Sequence, residues 1–348
     1  IDSRSGIFFP PDIYPIHAAV LTMHIFHDFP ESISILLIQS YLSGRYVDML
    51  ISITFCQQIN SFQQYSYISL PPMLRKSINK SYPRSQGRFP DIILLCVPGH
   101  LLEKTLRDIG PFVGEAAVGS IVSSTGFFFF AHSVLGPDAR LFGFRRVPFI
   151  ARVSEYGRSA KLLGYKSSLT VALEHLPPEF ASTLQELFGT PVEIADNYLQ
   201  VSLTNSNPIL HTGRLFTMFH GREDEVFDHN ILFYKEWTDE SSARLIAMDR
   251  EFFRLLDKLG VNGIPTLLDY YESTDAASLT AKISSIEAFQ AITSPMVQAE
   301  GGWKMDRTSR YFTEDFPFGL RWIKDLAVRS GTDTPVTDEV YDWGMNLL

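Results

Sequence analysis

The chain has 348 residues, of which 45% are hydrophobic and 20% charged, and its 30 Lys+Arg against 39 Asp+Glu leave a formal net charge of −9. That balance excludes a protein that coats nucleic-acid phosphates through general basicity, and the composition is globular rather than disordered. At about 150 residues per domain, the length fits two domains, each large enough to bury a core.

Residues 1–90 are rich in Ile, Ser, Tyr, Phe and Gln and contain only three glycines, Gly6, Gly44 and Gly87. They show no clean alternation of strand, tight turn and amphipathic helix, and short apolar runs such as 33–38 and 49–55 suit helix or strand equally. No run approaches the roughly 18 apolar residues of a membrane helix. The best candidate, 13–26, is broken by Pro15, His17 and His24. Without a basic stretch, an apolar core and a small-residue cleavage site, no signal peptide is expected. Cys56 and Cys96 form no C-x-x-C pattern, which fits a reducing compartment and a cytoplasmic location. His24-x-x-His27-Asp28 lacks further ligands at usual spacing, so no metal site is expected.

From Asp91 the pattern changes. Residues 91–98 form a continuous apolar run closed by Pro98, as in a strand buried on both faces of a parallel sheet. A helix is expected over 101–109, a second buried strand over 117–123, a turn at Ser124-Thr125-Gly126, and further strands at 140–144 and 168–172. Phe127–Phe130 reads most simply as buried strand. This is β-α-β punctuation, the second half of a doubly wound sheet. After Asp196, apolar residues recur at spacings of three and four over 198–219, 241–259, 277–292, 319–329 and 337–347, which predicts helices. The expected fold is an α/β, Rossmann-like N-terminal domain (1–195, with 1–90 atypical) followed by an all-α C-terminal domain (196–348).

Two segments carry candidate chemistry. In the first, Asn207-Pro208-Ile209-Leu210-His211 opens the helical region, with Asn207 as the expected N-cap and His211 one turn on. A histidine can give or take a proton near neutral pH, as reduction of a C=O or C=N bond requires at the heteroatom; alone, such a histidine is more often structural. In the second, Arg310-Tyr-Phe-Thr-Glu314-Asp315-Phe-Pro317-Phe-Gly319-Leu320 gathers a guanidinium and two carboxylates into an expected loop. Arg310 could clamp a substrate carboxylate and Asp315 could orient a histidine, although a surface salt bridge would use the same residues.

Taken together, Asn207-Pro208-x-x-His211 and Arg310-Tyr-x-x-Glu314-Asp315-x-Pro317-x-Gly319-Leu320, with Phe233-Tyr234-Lys235-Glu236-Trp237-Thr238 between them and Val97-Pro98 after a strand, resemble the octopine/nopaline (opine) dehydrogenase family over about residues 91–348. The resemblance implies reductive condensation of an amino acid with a 2-keto acid, using NAD or NADP bound in a Rossmann domain. It implies His211 as catalytic histidine, Asp315 as its acidic partner, Arg310 as holder of a substrate carboxylate, and Asn207 as a residue orienting substrate or the histidine. Val97, Pro98, Thr125 and Gly126 would border the nicotinamide. The implied partners are small molecules, with no nucleic acid and no membrane, and the oligomeric state is left open.

One departure from that pattern is large. A dinucleotide site should begin with a strand and G-x-G-x-x-G, whose glycines let a pyrophosphate approach a helix N-terminus, and residues 1–90 contain no such motif. Either the first mononucleotide-binding half is lost, or these residues are aberrant sequence joined to a genuine enzyme remainder. A malformed phosphate-binding turn in residues 1–45 is therefore expected, and a non-catalytic binding protein on the same scaffold is the competing reading.

Overall fold

The computed structural model of the chain describes residues 22–25, 33–42, 45–54, 91–155 and 159–348. Their contacts divide near residue 201 into two units, with Ser124–Gly126 counted in the second.

The first unit is built on an eight-stranded sheet. In spatial order its strands are β1 (Thr22–Ile25), β2 (Ile33–Leu42), β3 (Arg45–Thr54), β4 (Ile92–Cys96), β5 (Ala117–Ser120), β6 (Leu141–Phe144), β9 (Leu169–Glu174) and β10 (Val192–Ile194). From β3 to β6 the strands are parallel, and β9 joins β6 antiparallel. Parallel neighbours need crossovers, supplied by α1 (Gly99–Ile109) and α2 (Phe127–Leu135). Successive residues of β4 serve opposite faces. Ile93 and Leu95 pack with Leu102, Leu106, Phe127 and Phe128, whereas Ile92 and Leu94 pack with Phe142, Phe144 and Leu184, the last on α3 (Phe180–Phe188). A strand covered on both sides must be apolar throughout, hence the unbroken run in the sequence. Gly119 of β5 is needed because a Cβ there would lie 2.2 Å from the Phe142 ring.

Three expectations about this unit are corrected. Phe127–Phe130 is helix, with Phe127, Phe128 and Ala131 buried, a one-sided helical spacing that a short aromatic run hides. The strand expected over 117–123 ends at Ser120, and Ser123–Thr125 is a 3-10 turn. An antiparallel hairpin of β7 (Phe149–Glu155) and β8 (Ser159–Tyr165) also stands where no element was expected. The turn expected in residues 1–45 lies, apart from strand residues, outside the described residues, as do His27 and Asp28. Between β2 and β3 there are two residues, and the strands pair antiparallel, so no crossover helix joins them.

The second unit is helical. Its long helix α6 (Asp239–Leu259) follows α4 (Leu199–Ser202) and α5 (Thr212–Phe219), and precedes α7 (Leu267–Tyr270), α8 (Ala276–Ser285), α9 (Arg310–Thr313), α10 (Arg321–Ser330) and α11 (Pro335–Asn346). Both ends of α6 are fixed. Thr238 accepts a hydrogen bond from the Ser241 N–H, and Gly260 closes the helix at φ 66°. Leu245, Met248, Phe252 and Leu255 form its buried stripe, and Gly213 of α5 lets the two helices approach, since a Cβ there would lie 2.9 Å from Leu245. The helix expected over 198–219 is interrupted by a π-turn at Ser206–His211, and another π-turn occupies Phe316–Leu320. The helical pattern also hid a small hairpin of β11 (Met296–Ala299) and β12 (Gly302–Met305).

Candidate active site

The two π-turns carry the candidate chemistry. His211 is the last residue of the first, and Asp315 immediately precedes the second. A π-turn inserts an extra residue into a helical path and re-aims the side chains that follow, which is why such turns recur at functional sites. The turns meet at Pro208 and Gly319, where a Cβ on Gly319 would lie 3.2 Å from Pro208 Cγ. Asn205, rather than Asn207, takes the position before the first turn, and its side chain donates to Asp249 Oδ1 at 2.7 Å and to the Pro265 carbonyl at 3.0 Å. Asp249 Oδ2 accepts from the Leu267 N–H at 2.8 Å. Burial raises the Asp249 pKa, opposed by these hydrogen bonds. The start of the His211 turn is thereby fastened to α6.

His211 and Asp315, 104 residues apart, meet with Nδ1 and Oδ2 2.8 Å apart. Their side chains are 13% and 20% exposed, dry enough to strengthen the pair and open enough to reach solvent. With Asp315 ionised, Nδ1–H donates to the carboxylate, which leaves the neutral ring a lone pair on Nε2. Nε2 lies 3.0 Å from the Tyr234 hydroxyl. Tyr311 packs on the His211 ring at a centroid distance of 4.7 Å, and Phe233 meets it edge-on at 5.7 Å. The Tyr234 pKa is pushed well up, first by burial and further by Tyr311, Tyr271 and Asp315.

Arg214 holds the segment that presents Tyr234. It is 3% exposed. Its guanidinium donates to the Phe233 carbonyl at 3.3 Å, the Glu236 carbonyl at 2.6 Å and Ser241 Oγ at 2.8 Å, and lies 5.2 Å from the Trp237 ring. Burial lowers its pKa to about 10, with Glu236 and Glu240 opposing, so it remains a cation at neutral pH.

The other expected residues are placed as follows. Arg310 opens α9, exposed and with no ion pair among the described residues; the segment 310–320 is a helical turn and a π-turn rather than a loop. Asn207 is exposed inside its π-turn and is not an N-cap. Val97 and Pro98 are half-buried where β4 passes into α1. Thr125 is half-buried, and Gly126, at φ 92°, abuts the Trp322 ring, where a Cβ would lie 2.3 Å from it. Sequence reasoning assigned no role to Tyr234, Tyr311 or Arg214. The first two stood inside quoted motifs, while nothing in the order of residues marks Arg214 as a buried cation.

Residues 194–348 match the family model described as NAD/NADP octopine/nopaline dehydrogenase, alpha-helical domain. Octopine dehydrogenase of Mizuhopecten yessoensis is 26% identical over 283 residues, covering 74% of this chain and 70% of that protein. Tauropine dehydrogenase of Arabella iricolor is 25% identical over 291 residues, covering 76% and 73%. Among solved structures, octopine dehydrogenase with NADH and L-arginine superposes with a TM-score of 0.65 at 24% identity, covering 74% of this chain and 69% of that one, which bears on the fold alone. Residues 194–348 thus resemble the alpha-helical domain of the octopine/nopaline dehydrogenase family.

Proposed function

We propose that this protein is an opine-type dehydrogenase, an oxidoreductase acting on CH–NH groups with NAD or NADP, which joins the amino group of an amino acid to a 2-keto acid. The observation that carries the reading is the His211–Asp315 pair, at 2.8 Å in a partly exposed setting. In the overall reaction, amino acid ammonium, keto acid, NAD(P)H and one proton give a secondary amine in its protonated, ammonium form, NAD(P)+ and water.

His211 takes a proton from the ammonium so that its nitrogen can attack the keto carbon, and returns a proton as the carbinolamine hydroxyl leaves as water. Asp315 holds the ring in one tautomer and stabilises its cationic form. Arg310, exposed and without an ion pair among the described residues, is available to bind a substrate carboxylate through two parallel hydrogen bonds. Asn207, four residues before His211, would orient the substrate. The cofactor, when bound, supplies a hydride.

The described residues fit one half of that cofactor. Val97-Pro98 and Thr125-Gly126 follow neighbouring parallel strands, the place where nicotinamide would be held. Residues 1–90 contain no G-x-G-x-x-G for the pyrophosphate, and this favours the second reading, a non-catalytic binding protein. Fluorescence titration with NADH separates the two. The activity reading is tested by following NADH and NADPH oxidation with an amino acid and pyruvate, each alone and then together. Oxidation should require both substrates and yield one secondary amine per cofactor oxidised; oxidation with the keto acid alone would make the protein a 2-keto acid reductase instead.

A further inference from the structure

Both nitrogens of His211 are engaged. Nδ1 faces Asp315 at 2.8 Å and Nε2 faces the Tyr234 hydroxyl at 3.0 Å, so a proton moving between this imidazole and anything beyond the pair meets the phenol oxygen first. That oxygen is held rigidly. The Tyr234 ring is 7% exposed, lies parallel to Trp237 at 6.1 Å and 9° and against Phe289 at 4.6 Å. The Phe233 carbonyl next to it is bonded by Arg214. The half-buried Tyr311 has a hydroxyl that interacts with that of Tyr234.

We infer that Tyr234 is the proton relay of this site, passing protons between His211 Nε2 and the reacting heteroatom or solvent. The inference rests on the reading of His211 as the acid/base group. When His211 is protonated, its Nε2–H bond breaks as a new O–H bond forms on Tyr234; in the same step the original phenol O–H bond breaks and its proton passes to the acceptor beyond. In the reverse direction the neutral Nε2 lone pair receives the phenol proton while Tyr234 takes one from outside. Tyr234 is neutral before and after each transfer, so its raised pKa is no obstacle: a relay needs a hydroxyl that both donates and accepts, and never a phenolate. A phenylalanine keeps the packing and removes both capacities.

Tyr234→Phe is the test, with two readouts. In the protein labelled with 15N-histidine and without substrates, the Nε2 resonance of His211 should move toward that of an unbonded ring nitrogen while Nδ1 stays in place. An Nε2 resonance unchanged from the parent means that no relay path exists, and overturns the proposal. In the oxidation assay, kcat should fall by about 10²-fold, with both KM values within about threefold of the parent and a changed solvent deuterium isotope effect on kcat. Tyr311→Phe should lose less. A Tyr234→Phe enzyme with the parent's kcat and isotope effect would show that substrate displaces the phenol, which also overturns the relay. Failure of the underlying function reading is distinguishable, because the parent itself would then show no oxidation dependent on both substrates. Thermal unfolding of the variant beside the parent identifies any loss caused by misfolding, in which case the 15N readout on Tyr311→Phe decides, since a relay through Tyr234 leaves its Nε2 contact intact.

Discussion

At the scale of single residues, the pairing of His211 with Asp315 is the arrangement on which the proposed acid/base unit rests. Asp315→Asn keeps the shape and changes the chemistry. The amide can donate to Nδ1 and so force the ring proton onto Nε2, and it withdraws the charge that favours imidazolium. The kcat should fall by about 10²-fold or more. Steady-state kinetics of parent and variant check this. Arg310→Ala should instead raise the KM for a carboxylate substrate with a smaller change in kcat, the mark of lost uniform binding. Arg214→Met, which leaves buried carbonyl acceptors without donors, should cost about 3 kcal/mol of stability in a urea titration. That His211 and Asp315 meet was legible from the two motifs taken together, since a histidine that moves protons needs an acidic partner. Tyr234 and Arg214 were not: a tyrosine and an arginine in a helical segment are ordinarily packing and surface residues, and only the three-dimensional path makes them partners.

At the scale of elements, the site depends on two π-turns meeting at Pro208 and Gly319. An alanine at 319 would place its Cβ 3.2 Å from Pro208 Cγ, so the turns must separate by a few tenths of an ångström. Because His211 and Asp315 lie at their ends, Gly319→Ala should lower kcat about tenfold while leaving the unfolding midpoint within a few degrees; a parent-like kcat would show that the dyad does not depend on this contact. A second expectation concerns pH. His229 pairs with Asp228 and Glu236, and its pKa is raised above 6.5, chiefly by Glu236. A raised folded-state pKa means that the stabilisation is complete below the unfolded value and is lost as pH climbs through the folded one. The difference in melting temperature between parent and His229→Gln should therefore be largest below about pH 6.5 and vanish in alkaline buffer. The strands and long helices were legible from apolar period, as β4 and α6 illustrate. The π-turns were not, since an extra residue in a helical path leaves three-and-four spacing almost undisturbed. Phe127–Phe130 misled because four aromatics in a row carry no period.

At the scale of the molecule, the chain combines an α/β unit built on a largely parallel sheet with a helical unit similar to the alpha-helical domain of octopine/nopaline dehydrogenases. Its apolar and helical patterning made this architecture readable from residue 91 onward. Before that point the sequence offers no glycine fingerprint, and two of the strands described there, β2 and β3, form an antiparallel pair whose long apolar runs fit helix and strand alike. The proposed function stands on the helical unit, where His211 and Asp315 meet. The most direct measurement is NADH oxidation by parent and His211→Ala protein, with amino acid and 2-keto acid both saturating. The account predicts that the variant's kcat lies about 10²- to 10⁴-fold below the parent's. A variant that oxidises NADH at the parent's rate would make His211 a structural residue and contradict the opine-type mechanism.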